Sequence, residues 1–139
     1  MSSTMTVRSS SPTAKPASAV DLSTSLGRFD LPNPVLTASG CAGAGQELAQ
    51  FFDLAALGGV VTKSIMLNAR SGRATPRMAE TPSGMLNSIG LQGPGIDVFL
   101  ERDLPWLVEQ GARAVVSIAG SSVEDYAKLA TRLREAGGV

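Results

Sequence analysis

Histidine is absent from this chain of 139 residues, and cysteine occurs once, as Cys41. Without histidine the chain cannot supply a Ser-His-Asp triad or a Cys-His pair, and most zinc sites are excluded as well. A single cysteine cannot form an internal disulfide, which is consistent with a reducing cytoplasm. No cationic neighbour in sequence would activate Cys41, so we interpret it as a small packing residue and predict no metal site.

An excess of either charge is also absent, since 12 lysines and arginines balance 12 aspartates and glutamates. This balance gives no indication of binding to nucleic acid or to an anionic membrane surface. The sequence has no apolar run of about 18 residues, which a membrane-spanning helix would need, and no apolar core of a secretory signal. We therefore expect a cytoplasmic protein, whose 43% of apolar residues suffices to build a core.

Residues 1–19 are rich in Ser, Thr, Ala and Pro and contain no acidic residue. A segment of this composition buries too little apolar surface to offset the entropy lost on ordering. We therefore predict a disordered extension over residues 1–19 and a folded domain over residues 20–139. A transit peptide is the alternative for the extension, because the segment is rich in serine, although it holds only one arginine.

Strand patterns and helical patterns alternate along the rest of the chain. Alternating apolar residues over 20–31, with a turn at Gly27-Arg28, predict a β-hairpin. The patterns then predict strands at 35–38, 59–62 and 113–119, and helices at 46–57, 96–109 and between Ser122 and Gly137. A strand–helix repeat of this kind builds a parallel sheet, so the fold class is α/β.

Proline and capping residues place two helix boundaries. Pro105 cannot continue an interior helix without cost, so the second helix is predicted in two pieces that meet at Asp103 and Leu104. Ser122, followed three residues later by Asp125, predicts the start of the third helix as a capping box.

Residues 80–95, ETPSGMLNSIGLQGPG, form the most distinctive segment of the sequence. They contain too much glycine and proline for a helix or a central strand, so we predict a long loop. The segment follows the strand pattern that ends at Lys63. Loops after buried strands usually carry the ligand chemistry of α/β proteins, and this one suits a flat, polar small molecule.

Lys63 and Asn87 are the two side chains in this region with the clearest chemical use. A lysine at the end of a buried strand is costly unless an anion pairs with it, although its head can also extend to solvent. The amide of Asn87 offers one donor group and one acceptor, which matches the carbonyls and N–H groups of a pyrimidine ring. A simple turn asparagine is the alternative.

Three segments together resemble one enzyme family: residues 33–40 (NPVLTASG), 62–64 (TKS) and 77–92 (RMAETPSGMLNSIGLQ). Their sequence and order resemble dihydroorotate dehydrogenase, and the nearest group is the soluble bacterial class 1B catalytic subunit. The resemblance runs from about Val20 to the last residue. It implies a TIM (β/α)8 barrel with FMN at its mouth, of which this chain would form only the N-terminal part. That part would be about three βα units plus an N-terminal hairpin at the bottom of the barrel.

The resemblance also implies roles for particular residues. FMN contacts are expected from Ala38, Ser39, Lys63, Ser64 and Ser117, although the family often has an asparagine at the last of these positions. Substrate contacts are expected from Lys63 and from the loop residues Asn87, Ser88, Ile89, Gly90 and Leu91.

The catalytic base of class 1 enzymes is a cysteine in a later motif, which the resemblance places beyond Val139. We therefore expect no catalytic base in this chain, a truncation before the base, and no activity from residues 1–139 alone. Cys41 does not correspond to that base.

The implied function is the FMN-dependent oxidation of dihydroorotate to orotate in de novo pyrimidine biosynthesis. An iron–sulfur flavoprotein subunit is the expected electron-transfer partner, and the complete protein is expected as a homodimer or heterotetramer. One alternative is a barrel domain like that of dihydropyrimidine dehydrogenase, which shares FMN but reduces uracil-like rings. A second alternative is a non-catalytic fragment or interaction protein.

Overall fold

A computed structural model of the protein describes residues 20–139, so the extension predicted at residues 1–19 lies outside the described residues. The strands are β1 (Thr24–Leu26), β2 (Phe29–Leu31), β3 (Val60–Val61), β4 (Met78–Thr81), β5 (Gly84–Asn87) and β6 (Ala114–Val115). The α-helices are α1 (Ile96–Val98), α2 (Leu104–Glu109) and α3 (Val123–Ala136), with a π-helical stretch at Phe99–Asp103 and 3-10 turns at Leu48–Gln50 and Leu54–Ala56.

The strands form three two-stranded sheets: antiparallel β1–β2, parallel β3–β6 and antiparallel β4–β5. Over residues 20–139 the result is a partial α/β structure whose sheets do not close into a barrel. Parallel pairing continues beyond β3 and β6 as single bridges, Leu36 with Gly59 and Ile65 with Ile118. Parallel pairing therefore extends over more residues than the regular strands β3 and β6 contain.

The N-terminal hairpin is confirmed at the predicted turn. Thr24 pairs with Leu31 and Leu26 with Phe29, and Gly27 adopts φ +62°, a left-handed conformation that glycine takes without cost. Leu31 is buried, whereas Leu26 and Phe29 remain more than half exposed. An apolar cavity of about 890 Å³ opens beside the hairpin, between it, β6 and the end of α3.

The prediction of a regular strand at residues 35–38 is wrong, because this segment forms only the Leu36–Gly59 bridge. The next residue, Thr37, uses its side chain where a strand would use its backbone. Its hydroxyl accepts a hydrogen bond from the Val61 N–H at 2.8 Å and donates one to the Val61 carbonyl at 3.1 Å. This segment therefore lies along β3 without extending the regular ladder.

The helix predicted at residues 46–57 is also wrong, because the segment forms two 3-10 turns. Asp53 interrupts it with an extended backbone (φ −70°, ψ 117°), and its carboxylate accepts a hydrogen bond from the Ala55 N–H at 2.9 Å. That cap begins a new turn instead of continuing the old one. As a result Leu54 is buried, but Phe51 is 81% exposed and does not join the expected apolar stripe.

The other two helices follow their sequence signals. Helical structure runs from Ile96 to Glu109, and its last α-helical piece begins at Leu104, as predicted. Pro105 lies in the first turn of that piece, directly after the π-helical stretch, which runs into α2 without a break. Ser122 caps α3 by accepting from the Asp125 N–H at 3.2 Å, and Gly137 ends it.

These helices pack on one face of the β3–β6 pair. The shared core contains Leu54, Val60, Ile65, Ile96, Phe99, Leu104, Leu107, Ala112, Ala114, Leu129 and Leu133. The opposite face stays open, with Val115 37% exposed. Among residues 20–139, none of the helices combines the length and apolarity needed to span a membrane.

Gly58 fixes the first parallel segment beside β3, and this generates a prediction for stability. Its N–H donates to the Val35 carbonyl at 2.9 Å and to Asn33 Oδ1 at 3.1 Å, and a Cβ at this buried position would overlap the Asn33 carbonyl oxygen. Gly58→Ala should therefore lower the free energy of unfolding by about 1–3 kcal/mol. Gly84→Ala is the matched control, because its Cβ would meet only Thr81 Oγ1 at 3.7 Å. Equal denaturation midpoints for the two variants of the whole protein would contradict this account.

Candidate functional site

The candidate site lies at one edge of the parallel strands, where the chain leaves residues 36, 65 and 118. Because the three segments run in the same direction, their C-terminal ends meet at this edge. Ligand sites in parallel α/β folds form at such an edge. Three of the five residues expected to contact FMN form hydrogen bonds that link these segment ends: Ser39, Ser64 and Ser117.

Three serine hydroxyls form a chain across the segment ends. Ser64 Oγ lies 2.9 Å from Ser117 Oγ and 3.5 Å from Ser39 Oγ. The Ser64 and Ser117 side chains are half-buried, whereas Ser39 is exposed. Each hydroxyl can donate or accept, so the chain can reorient its protons toward a ligand. Ala38 precedes Ser39 and is exposed at the same edge.

Lys63 lies between the core and this open edge. The residue before it, Thr62, is 1% exposed on the core side, and successive residues of a strand point to opposite faces. Lys63 is half-buried on the side away from the core, and its backbone N–H donates to the Gly43 carbonyl at 2.9 Å. Lys63 therefore lies directly before Ser64 in the segment that carries the serine contacts.

The residues from Ser39 to Gln46 form a segment that we call the glycine loop. Gly40, Gly43 and Gly45 all have positive φ, at +82°, +56° and +90°, a conformation that residues with a Cβ rarely adopt. A Cβ at Gly40 would meet no atom within 4 Å, so the backbone there is open to a ligand. Cys41 is exposed in this loop, and our interpretation of it as a packing residue is wrong.

The predicted substrate loop differs from the sequence-based expectation. The segment predicted to be a long loop contains the β4–β5 hairpin, and Asn87 is the last residue of β5, paired with Met78. β-Hairpin formation requires only local antiparallel pairing, which glycine and proline at the turn permit. All residues of both strands are exposed.

Residues 88–91 follow this hairpin and are held by the segment at 70–77. The Ser88 N–H donates to the Arg77 carbonyl at 2.8 Å, and the Ile89 carbonyl accepts from the Arg73 N–H at 3.0 Å. Gly90 and Leu91 both have positive φ, at +82° and +52°. A leucine in this conformation is strained, and such strain is often found at ligand sites.

Gly93 connects the two groups of candidate residues. It exchanges two backbone hydrogen bonds with Arg70, at 2.9 and 3.0 Å, and a Cβ there would lie 3.9 Å from the Ser64 carbonyl oxygen. The structure therefore brings the serines and Lys63 together and places the end of the substrate loop beside Ser64. The hydrogen bonds that link the serines do not extend to Asn87.

Sequence reasoning missed the residues that hold these loops in place. The Arg77 guanidinium donates to Gln92 Oε1 at 3.2 Å and to the Arg73 carbonyl at 3.5 Å, so it spans the substrate loop. No local signal could have identified its partner, because Gln92 lies 15 residues further along the chain.

The donor groups at this edge fit a planar, polar cofactor such as FMN. Hydroxyls and an ammonium group can donate to ring oxygens and nitrogens, and backbone without side chains allows close approach. Within the described part of the chain, histidine, cysteine, aspartate and glutamate form no cluster of three or more that could hold a metal ion.

Comparison with known proteins identifies the family. Residues 21–139 match the family model described as dihydroorotate dehydrogenase. The chain belongs to the dihydroorotate dehydrogenase family. Among its curated relatives, the chain is 48% identical over 118 residues to the catalytic subunit of dihydroorotate dehydrogenase B (NAD(+)) from Anoxybacillus flavithermus. The proteins of the same name from Bacteroides thetaiotaomicron and Desulforamulus reducens are 45% identical over 115 residues and 46% identical over 120 residues.

These matches include most of this chain but a minority of each relative. They cover 85%, 83% and 86% of the chain, in the same order. They cover 38%, 38% and 40% of the relatives. The activity of a whole dihydroorotate dehydrogenase therefore rests on more sequence than this chain contains.

Proposed function

We propose that the protein to which this chain contributes oxidises dihydroorotate to orotate with FMN as its cofactor. The observation that carries the proposal is the meeting of the Ser39, Ser64 and Ser117 hydroxyls beside Lys63, at the edge where the parallel segments end. This occurs in a chain that matches the dihydroorotate dehydrogenase family from residue 21 onward.

In this proposal residues 20–139 form the N-terminal part of a TIM barrel. The parallel order of residue 36 beside 59, and of β3 beside β6, supports three neighbouring barrel strands. The helices on one side of that sheet support the outer layer of a barrel. The β1–β2 hairpin closes the opposite end from the site.

Bound FMN supplies a two-electron acceptor, and the protein supplies binding and orientation. The Lys63 ammonium group would pair with negative charge on the cofactor and on the substrate carboxylate, and the half-buried position of Lys63 at this edge supports that role. Ser39, Ser64 and Ser117 donate hydrogen bonds to the cofactor, and Ala38 lends it an apolar contact.

The substrate is bound in this proposal by Lys63 and by residues 87–91. The amide of Asn87 pairs with a ring carbonyl and a ring N–H, and Ser88, Ile89, Gly90 and Leu91 contribute backbone groups and shape. Backbone hydrogen bonds from the Arg73 N–H to Ile89 and from the Ser88 N–H to the Arg77 carbonyl support this role, because they fix the loop before the ligand arrives. We assign no general base among residues 20–139.

The names of the relatives support a separate partner subunit for electron transfer. The relatives are named as NAD(+)-type catalytic subunits, which implies a separate subunit. We propose an iron–sulfur flavoprotein as that partner, in a heterotetramer, with a homodimer as the alternative. The relatives' names favour this function over the reduction of uracil-like rings.

The first test of the cofactor site is Lys63→Ala in the whole protein expressed from its own gene. Loss of the ammonium group should reduce FMN occupancy and lower kcat/KM for dihydroorotate by about tenfold to a hundredfold. FMN content is measured by absorbance and turnover by dye reduction. Lys128→Ala is the control, because Lys128 is exposed on α3. If Lys63→Ala matches the control in both measurements, the assignment of Lys63 fails.

The test of the substrate loop is Asn87→Ala. The variant should keep its FMN but raise KM for dihydroorotate by about fivefold to a hundredfold, since buried ring groups lose a hydrogen-bond partner at a cost of about 1–3 kcal/mol. Asn68→Ala, at another exposed asparagine, is the control. An unchanged KM for dihydroorotate would remove Asn87 from the site.

A further inference from the structure

Asp103 is the one charged side chain that the structure buries among residues 20–139, at 4% exposure. Burying a carboxylate is costly unless it has charged or hydrogen-bonding partners. The partners of Asp103 therefore indicate what this buried carboxylate does in the fold.

Helix capping is not that role. Asp103 directly precedes α2 in the N-cap position, but its side chain makes no capping hydrogen bond there. Its backbone is helical, with φ −80° and ψ −41°, because the π-helical stretch runs directly into α2. The carboxylate is consequently free to bond elsewhere.

The carboxylate has two side-chain partners. Arg102, its neighbour in sequence, donates from Nε to Oδ1 at 2.7 Å and from Nη2 to Oδ2 at 3.2 Å. The hydrogen bonds and charge of Asp103 raise the pKa of Arg102, so the guanidinium stays charged. Gln46 donates from Nε2 to Oδ1 at 3.4 Å across 57 residues of chain. Of these bonds, only the one from Gln46 joins two distant parts of the fold.

Gln46 is the last residue of the glycine loop, and the rest of that loop is tied to the cofactor edge. Ser39 contacts Ser64, and the Gly43 carbonyl accepts from the Lys63 N–H at 2.9 Å. Gly45 packs so closely on α2 and its surroundings that a Cβ would lie 2.9 Å from Leu54 and 3.4 Å from Leu107.

A loop with three glycines in left-handed conformations loses much entropy on ordering, so it depends on anchors at its ends. Ser39 anchors its first end to the strand edge, and Gln46 anchors its last end to Asp103.

We propose that Asp103 is a positioning residue for the flavin site, acting through Gln46 to hold the glycine loop against β3. Asp103 itself touches neither cofactor nor substrate. By holding the loop in place, Asp103 fixes the position of the Gly43 carbonyl, which binds the Lys63 N–H. It also fixes the position of Ser39, at the other end of the loop. The inference rests on the proposed function, since FMN is the ligand that the loop is expected to meet.

The test changes Gln46 and Asp103 in the whole protein, first Gln46 alone and then both together with amide and carboxylate exchanged. Gln46→Met removes the donor while keeping the length of the side chain, and should weaken FMN binding about threefold to tenfold. Gln46→Glu places two carboxylates face to face, and should weaken it further. The double variant Gln46→Glu with Asp103→Asn restores one carboxylate and one amide in reversed positions, and should recover most of the affinity.

FMN affinity is measured by fluorescence titration of the flavin-free protein. Hydrogen exchange of the Lys63 and Gly45 amides is followed in the same samples, and should accelerate in Gln46→Met and Gln46→Glu. Arg132→Met is the control, because it removes the ion pair between Arg132 and Asp97 and leaves Gln46, Arg102 and Asp103 in place. Its FMN affinity and amide exchange should stay within about twofold of the parent.

The outcomes separate this inference from the proposed function. If the parent protein binds no FMN, the proposed function fails, and amide exchange alone then decides whether Gln46 and Asp103 hold the loop. If both Gln46 variants keep parental affinity and exchange, or if the double variant is no better than Gln46→Glu, the positioning role is overturned.

Discussion

The arrangement of the whole site depends on one backbone ladder, between residues 60–65 and residues 113–119. Its hydrogen bonds run from the Val60 N–H to the Arg113 carbonyl, from Thr62 to Val115 and from Ile65 to Ser117, at 2.8, 3.0 and 2.8 Å. This pairing is parallel, and its register shifts by one residue between the Val61–Val115 pair and the Ile65–Ile118 bridge, which sets Ser64 beside Ser117. Thr62 is buried in the core, whereas Lys63 is half-buried.

The loops at this edge are held by contacts of other kinds. The glycine loop is attached at three points, through Ser39, Gly43 and Gln46. The substrate loop is held mainly by backbone bonds to residues 70–77 and by the Arg77 side chain. Preformed loops of this kind lower the ordering cost that a ligand would otherwise have to offset. A rigid strand edge with loops fixed above it is the usual way in which α/β folds build a ligand site.

Features decided by neighbouring residues could be predicted from the sequence. The turn at Gly27, the helix boundary before Pro105 and the cap at Ser122 all depend on local geometry, and the structure confirms each of them. Features decided by distant contacts could not. The helix predicted at 46–57 gives way to two short turns, and the strand at 35–38 gives way to side-chain bonds from Thr37 to Val61.

The same division applies to the site. The serines and Lys63 were found through their resemblance to a family, and their meeting at one edge follows from parallel strands that the sequence pattern already indicated. The pair of Gln46 and Asp103 left no local sign, because its partners are 57 residues apart and one of them lies inside a helical run.

The central claim is that this edge holds a flavin that dihydroorotate can reduce. The most direct measurement is an anaerobic absorbance titration of the whole protein, loaded with FMN, with dihydroorotate and separately with dihydrouracil. The account predicts that dihydroorotate bleaches the bound flavin stoichiometrically and that dihydrouracil does not. A protein that binds no FMN, or whose flavin is bleached equally by both compounds, would contradict it.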